Sequence, residues 1–335
     1  MMNEVATSIE DLIGNTPVLE LKLRASKARL FLKLERYNPG LSMKDRMALN
    51  MVNNAEQQGL KNGGVIIESS SGNTAIGLAM ISAWRGYRFI AVVDHHSSIE
   101  KVNTIKAYGG EIYYVAENCP DNKVAVVARE RKAAELSRKI PNSVFMNQAD
   151  NLANSAGYVN TLAKELLEQV KPIHVLFGSI GTGGSLSGTA EGIKNQSPDT
   201  KVIAVEPRGS ILFGGQPSPY YQSGTGNPEG AEIPKNVRYD LIDANLFAED
   251  NEAFTTCKFI AQKLGLLVGG SGGGVIYKAL EYATDAKEST ENIVVIVPDA
   301  GEKYLSNVYN DEWLAERHLI SKRIYDELER KVSHK

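Results

Sequence analysis

The chain of 335 residues is 42% hydrophobic and 23% charged, with a formal net charge of −3 at pH 7. It is long enough for one large domain or two and apolar enough for a full core, and it lacks the basic balance that a nucleic-acid partner requires. No apolar run is long enough to span a membrane and the start, Met1 to Glu10, has no signal-like apolar stretch, so a cytoplasmic setting without membrane attachment is expected.

Leu30 to Leu34 reads as a short apolar strand, Asn38-Pro39-Gly40 as a turn, and Ser42 as the cap of a helix running through Arg46, Met47 and Met51. Lys44 falls in the first turn of that helix, an element end at which a functional side chain can be held firmly. Lysine is ordinarily a solvated surface charge, so the neighbours decide its role. A strand at Val65 to Ile67 is followed by the polar loop Glu68-Ser-Ser-Ser-Gly-Asn-Thr74 and a helix from Thr74 to Trp84, then a strand at Phe89 to Val93. Asp94-His95-His96 ends that strand with no third ligand at a diagnostic spacing, so a polar loop is expected there and no metal. A helix from Ser98 to Tyr108 and a strand at Ile112 to Val115 follow; Trp84 and Tyr108 are expected to pack, and Arg129-Glu-Arg-Lys132 to be a solvated helix face. Cys119 and Cys257, far apart and outside any CxxC spacing, suggest neither a disulfide nor zinc.

The alternation resumes at Val175 to Phe177, Lys201 to Val205 and Ile293 to Val297. Continuously apolar strands separated by helices imply an α/β protein with twisted, mainly parallel sheets covered by helices on both faces. The segment Gly214 to Pro234, rich in Gly, Pro, Ser and Tyr and without periodicity, is expected to be a functional loop. Between strand and helix, Gly178-Ser-Ile-Gly-Thr-Gly-Gly-Ser-Leu-Ser-Gly188 offers backbone N–H groups and the positive end of a helix to a phosphate. Glu206 after the next strand would suit the ribose of a dinucleotide, but such a site wants glycine where Leu186 stands, which counts against that reading.

Asn38 to Arg46 and Ser70-Ser71-Gly72-Asn73-Thr74 closely resemble the cysteine synthase and cystathionine β-synthase family of pyridoxal phosphate enzymes of fold type II, the tryptophan synthase β-like fold. Ile13-Gly-Asn-Thr-Pro17, Lys33-Leu-Glu35, Lys106-Ala-Tyr-Gly109, Gly181-Thr-Gly-Gly-Ser185, Gly269-Gly-Ser271 and Pro298-Asp-Ala-Gly-Glu-Lys-Tyr-Leu305 extend the likeness from about Ile9 to Leu314. The resemblance implies a smaller mobile domain, residues 36–151, set into a larger cofactor-binding domain of residues 8–35 and 152–320. It gives Lys44 the Schiff base with the cofactor aldehyde and the catalytic proton transfer, and Asn73 a hydrogen bond to the ring hydroxyl. The cofactor phosphate maps onto Gly181, Thr182, Gly183, Gly184 and Ser185, and the pyridine nitrogen onto Ser271. Ser70, Ser71, Thr74 and Gln148 match the positions that bind a substrate carboxylate. The reaction implied is β-replacement on an O-activated L-serine through an α-aminoacrylate, in a homodimer acting on small amino acids. A seryl hydroxyl cannot protonate the ring nitrogen as a carboxylate pair would, so the ring is a weaker electron sink and prompt loss of a β-leaving group is favoured.

Within the family, Gly269-Gly-Ser271 and Glu206-Pro-Arg-Gly-Ser-Ile-Leu-Phe-Gly214 look more like the cystathionine β-synthase branch. They look most like the N-(2-amino-2-carboxyethyl)-L-glutamate synthases, which join O-phospho-L-serine to L-glutamate on the way to 2,3-diaminopropionate, a building block of siderophores and other secondary metabolites. Tyr304-Leu305 and Val308 to Leu314 fit both. A phosphate leaving group needs a cation, for which Arg208 is the candidate, with a solvated loop arginine as its alternative. Ala75 after Asn-Thr, the glycines 272 to 274 and the extra residues after Gly226 depart from the usual pattern and favour an amine or amino-acid nucleophile over sulfide. Cysteine synthesis, cystathionine synthesis, a dehydratase and a non-catalytic cofactor sensor remain as alternatives. Neither tandem regulatory modules nor a haem segment is expected, the residues before Ile13 holding no Cys or His.

Overall fold

Ten strands and eleven helices make up two sheets and their coverings in the computed structural model, which describes residues 5–24, 26–95, 97–115, 122–286 and 288–333. Cys119 and His96, both weighed above, lie outside the described residues. The strands are β1 (Val18–Leu21), β2 (Arg29–Leu34), β3 (Val65–Glu68), β4 (Arg88–Val93), β5 (Glu111–Tyr114), β6 (Ser143–Phe145), β7 (Val175–Ser179), β8 (Lys201–Pro207), β9 (Ala244–Ala248) and β10 (Asn292–Val297). The helices are α1 (Lys44–Gln57), α2 (Asn73–Arg85), α3 (Ile99–Ala107), α4 (Asn122–Lys139), α5 (Ala153–Val159), α6 (Leu162–Gln169), α7 (Gly184–Lys194), α8 (Asp250–Leu264), α9 (Gly270–Asp285), α10 (Asp311–Glu316) and α11 (Lys322–Lys331).

One sheet runs β1-β2-β10-β7-β8-β9, parallel except for β1, which pairs antiparallel with β2. The other runs β5-β4-β3-β6 and is parallel throughout. The expected α/β class with mainly parallel, helix-covered sheets is what the chain adopts. Asn292–Val297 is buried at every position because β10 has a strand on each side and helices over both faces. A core of Met47, Ile66, Ile76, Leu176, Val294 and their neighbours fills the space between the sheets. A second, with Leu30, Val175, Phe254 and Ile276, lies on the far side of the larger sheet, and a third, with Val65, Ile67, Ile90 and Ala133, on the far side of the smaller. Each fully buried Leu, Ile or Phe in these layers contributes roughly 1.5–3 kcal/mol.

A charged network is buried where α1 leaves the larger sheet. Arg46 binds Glu35 at 2.7 Å and Glu165 at 2.6 Å, and the fully buried Lys33 reaches Glu165 at 2.6 Å and the Thr16 carbonyl at 2.7 Å. Burial opposes the charge on Glu165, but Arg46 and Lys33 overcome it and hold the carboxyl down to about 2. Ser42 does cap the start of α1, its hydroxyl accepting the Lys44 N–H at 3.3 Å, with the helical Met43 between them. One sequence expectation is corrected. Trp84 projects from the outer side of α2 and is 53% exposed, because the core face of that helix is filled by Ile76, Ala79 and Met80.

Candidate active site

The C-terminal ends of β2, β3, β7 and β10 and the N-terminal ends of α1, α2, α7 and α9 meet around one cavity of about 800 Å³. An open α/β structure leaves its binding crevice in this place, and uncapped helix starts turn N–H groups towards it. Helices α2, α7 and α9 have no side-chain cap bond, their capping positions being Gly72, Gly183 and Gly269, whereas the Ser42 hydroxyl takes the first N–H of α1. Gly183 has φ of +86°, and a Cβ there would meet Val237 N at 2.6 Å, so the turn into α7 admits only glycine.

Lys44, Ser70, Ser71, Asn73, Thr74, Gln148, Gly181, Thr182 and Ser271, nine of the residues singled out from the sequence, line this cavity. Gly183, Gly184 and Ser185 continue the same turn into α7 without being part of its wall. The Lys44 amine makes no hydrogen bond among the described residues; burial lowers its pKa to about 8, and Asp299 pulls the other way. A sizeable neutral fraction therefore exists near physiological pH, as a nucleophilic or proton-accepting amine requires. Thr74 donates from Oγ1 to Gln148 Oε1 at 2.5 Å, so the Gln148 amide presents its N–H₂ elsewhere, and Ser70 Oγ accepts the Gly72 N–H at 3.2 Å. Behind both loops stands Glu68, fully buried, which accepts N–H bonds from Ser69 at 2.7 Å and Gln148 at 3.1 Å. Burial raises its carboxyl to about 8 in spite of those two donors.

Arg208 is not brought to the cavity. It lies on the surface at the end of β8, its side chain 57% exposed, bound to Glu249 at 2.8 Å and laid over the Phe247 ring. The cations that do line the cavity are others. Lys101, on α3, is 6% exposed, donates to Ser223 Oγ at 3.3 Å and sits 4.4 Å from the centre of the Tyr304 ring. Burial lowers its amine to about 8 as well. Arg129, expected on a solvated face, instead turns inward and bonds Asp94 at 2.6 Å, both at the cavity wall. Both cations escape sequence reasoning because a charge on an amphipathic helix reads as solvated until the partner segment, here 217–229, is known to cover it. That segment belongs to the expected functional loop, which has neither helix nor strand and forms one wall. His95 stacks on Tyr114 at 5.4 Å, Cys257 is buried with its thiol on the Gly269 carbonyl, and among the described residues no cluster of His, Cys, Asp and Glu is built to hold a metal.

Residues 9–299 match the family model described as pyridoxal-phosphate dependent enzyme. The chain belongs to that family. A protein of Sinorhizobium fredii assigned as a cysteine synthase is 48% identical over 325 residues, covering 96% of both chains. The O-acetylserine dependent cystathionine β-synthase of Bacillus subtilis is 38% identical over 306 residues, 90% of this chain and 97% of the relative. Among solved structures, a hydrogen sulfide-producing enzyme from Fusobacterium nucleatum superposes with a TM-score of 0.84 at 36% identity, covering 90% of this chain and 99% of the other. The protein is thus a pyridoxal phosphate dependent β-replacement enzyme of the cysteine synthase and cystathionine β-synthase group. The donor set of the cavity fits that cofactor: an uncapped helix start at Gly183 for its phosphate, the partly neutral Lys44 amine for its aldehyde, and the neutral Ser271 hydroxyl and Asn73 amide for its ring. Among the described residues no helix is long and apolar enough to cross a membrane.

Proposed function

We propose that the enzyme catalyses β-replacement on O-phospho-L-serine with an amine or amino-acid nucleophile such as L-glutamate, in a route towards 2,3-diaminopropionate. The observation that carries this reading is Lys101, a buried lysine on the cavity wall whose amine donates to a neutral hydroxyl, that of Ser223. Ser70, Ser71, Thr74 and Gln148 would receive the α-carboxylate of the first substrate. Beside Asp299, which already acts on Lys101, a second oxyanion is accommodated; a phosphate leaving group or the side-chain carboxylate of glutamate supplies one that can accept several hydrogen bonds, and the uncharged O-acetyl group does not. The 800 Å³ cavity is also larger than the cofactor and one small amino acid need.

In this reading Lys44 would hold the cofactor through its aldehyde, and its Nζ, when free, would accept the Cα proton of the substrate. Pyridoxal phosphate, when bound, withdraws electrons from Cα and so makes that proton removable. Gly181, Thr182, Gly183, Gly184 and Ser185 would hold its phosphate, Asn73 would donate to its ring oxygen, and Ser271 would leave the ring nitrogen without a strong proton donor. Residues 36–151 close as a smaller domain over residues 8–35 and 152–320 and exclude water from the reacting carbon. The working unit is a cytoplasmic homodimer.

A second reading, cysteine synthesis from an O-activated serine and sulfide, is favoured by the assigned activity of the Sinorhizobium fredii relative. Visible absorption of the cofactor-loaded protein separates the two. Under the first reading O-phospho-L-serine changes the spectrum where O-acetyl-L-serine does not, L-glutamate restores it with formation of a new amino acid, and Lys101→Met raises the concentration of an anionic substrate needed by roughly tenfold, the loss of one charge-assisted hydrogen bond. A response to acetylserine that sulfide alone reverses, unchanged in Lys101→Met, establishes the second.

A further inference from the structure

Three charged or polar groups surround the Asn73 carboxamide, and their chemistry leaves it only one orientation. Lys303 Nζ donates to Asn73 Oδ1 at 2.7 Å, while Asn73 Nδ2 donates to Asp299 Oδ2 at 2.7 Å. An ammonium can only donate and a carboxylate can only accept, so exchanging the amide oxygen and nitrogen would set N–H₂ against a cation and oxygen against an anion. The Tyr304 hydroxyl fixes the carboxylate in turn, donating to the same Asp299 Oδ2 at 2.5 Å. Asn73, Asp299 and Tyr304 line the cavity and Lys303 does not. The lysine therefore stands behind the amide and takes its acceptor edge, which leaves the donor edge on the side of the cavity wall. The same ammonium donates to the Gly40 carbonyl at 2.7 Å, in the turn that leads into Lys44.

We infer that Lys303 is the positioning residue that sets the polarity of the Asn73 amide and ties it to the Lys44 turn, so that an N–H rather than a carbonyl meets the anionic ring oxygen of the cofactor. This rests on the assignment of Asn73 to that oxygen made above. With Lys303 removed, Oδ1 loses its cation and the amide one of its two anchors, so that Asp299 alone opposes the turn that would present oxygen to oxygen. A neutral donor would hold the amide less firmly, and arginine, which keeps the charge, would preserve it.

The experiment uses cofactor-free full-length protein titrated with pyridoxal 5′-phosphate, following bound cofactor by fluorescence and its near-ultraviolet to visible band ratio, which reports protonation of the ring oxygen. Lys303→Met, Lys303→Arg, Asn73→Ala and the Lys303→Met/Asn73→Ala pair are compared, with thermal unfolding of each cofactor-free protein to verify folding. The expected result is cofactor affinity about tenfold weaker in Lys303→Met with an altered band ratio, comparable to removing the outer partner of a metal ligand. Lys303→Arg restores both, and Lys303→Met causes little further loss once Asn73 is alanine, because coupled residues are non-additive. Should Lys303→Met not fold, Lys303→Gln takes its place in the same cycle. If Asn73→Ala weakens the cofactor but Lys303→Met does not, or if the two losses simply add, Lys303 does not act through the amide and the inference falls while the role of Asn73 stands. If Asn73→Ala changes neither affinity nor band ratio, the assignment of Asn73 falls and the inference with it.

Discussion

Glu68 is the residue on which the two loops expected to bind substrate carboxylate both lean, through N–H bonds from Ser69 and Gln148. Burial moves its carboxyl from the usual 4.5 to about 8, with Glu130 adding repulsion and Arg129 opposing it. The native protein thus holds a proton there that the unfolded chain has released, so stability falls as pH rises between those two values, by up to about 1.4 kcal/mol per pH unit for this group. Urea denaturation should find the stability of Glu68→Gln, relative to the parent, rising from pH 5 to pH 8, because the amide keeps an acceptor and cannot titrate. Glu68→Ala should instead lose about 1–3 kcal/mol at both pH values, two buried N–H groups being left without an acceptor. At this scale the sequence is legible where a residue type is forced by position: Lys44, Asn73, Gly183 and Ser271 sit at turns into helices, and all but Gly183 line the cavity. Glu68, Lys101, Arg129 and Lys303 are not legible. Each carries an ordinary surface charge, and each acquires its meaning from a segment distant in sequence, such as Ser223 for Lys101 and Asn73 for Lys303.

At the level of elements, α1 has a position only as good as its anchor. Arg46, two residues after Lys44, is nearly inaccessible and bridges Glu35 on one side and Glu165 of α6 on the other. Arg46→Met would keep the apolar stem, strand the buried Glu35 carboxylate and leave Glu165 to Lys33 alone, a loss of about 3–5 kcal/mol in chemical denaturation. Cofactor affinity should fall with it, since the first turn of α1 carries Lys44. The continuously apolar strands are readable as such: Leu30 to Leu34, Val65 to Ile67, Phe89 to Val93 and Ile293 to Val297 all lie within observed strands. What escapes is the periphery. The edge strands β1, β6 and β9 are short and only half-buried, so they have neither the length nor the uniform burial that marks a central strand. Trp84 misleads for the complementary reason, as an aromatic residue on a helix whose core face is already full.

For the whole molecule, the cavity is lined by segments that follow strands of both sheets, so a cofactor bound there would touch both. Cofactor-free and loaded protein should therefore differ in equilibrium stability by about 4 kcal/mol at a thousandfold excess over the dissociation constant, with the midpoint rising as cofactor is added. Unfolding curves that coincide at every cofactor concentration would mean that the native state does not bind the cofactor in preference to the unfolded chain. The α/β class and the order of motifs are legible over this range because every parallel crossover needs a strand, a turn and a helix, and their signals recur in fixed order. Which faces meet is not legible, since it depends on pairing β10 with β2 and β7 across more than a hundred residues.

Helices α10 and α11 close their first turns with their own side chains, Asn310 on the Trp313 N–H and Ser321 on the Ile324 N–H. Of the helices that begin at the cavity, α2, α7 and α9 do not, and each starts from a glycine. Their first amides are left for whatever enters. The chain has thus left part of its own secondary structure to be completed by a guest, and any sequence change that completed it from within would make a sturdier protein and a poorer host.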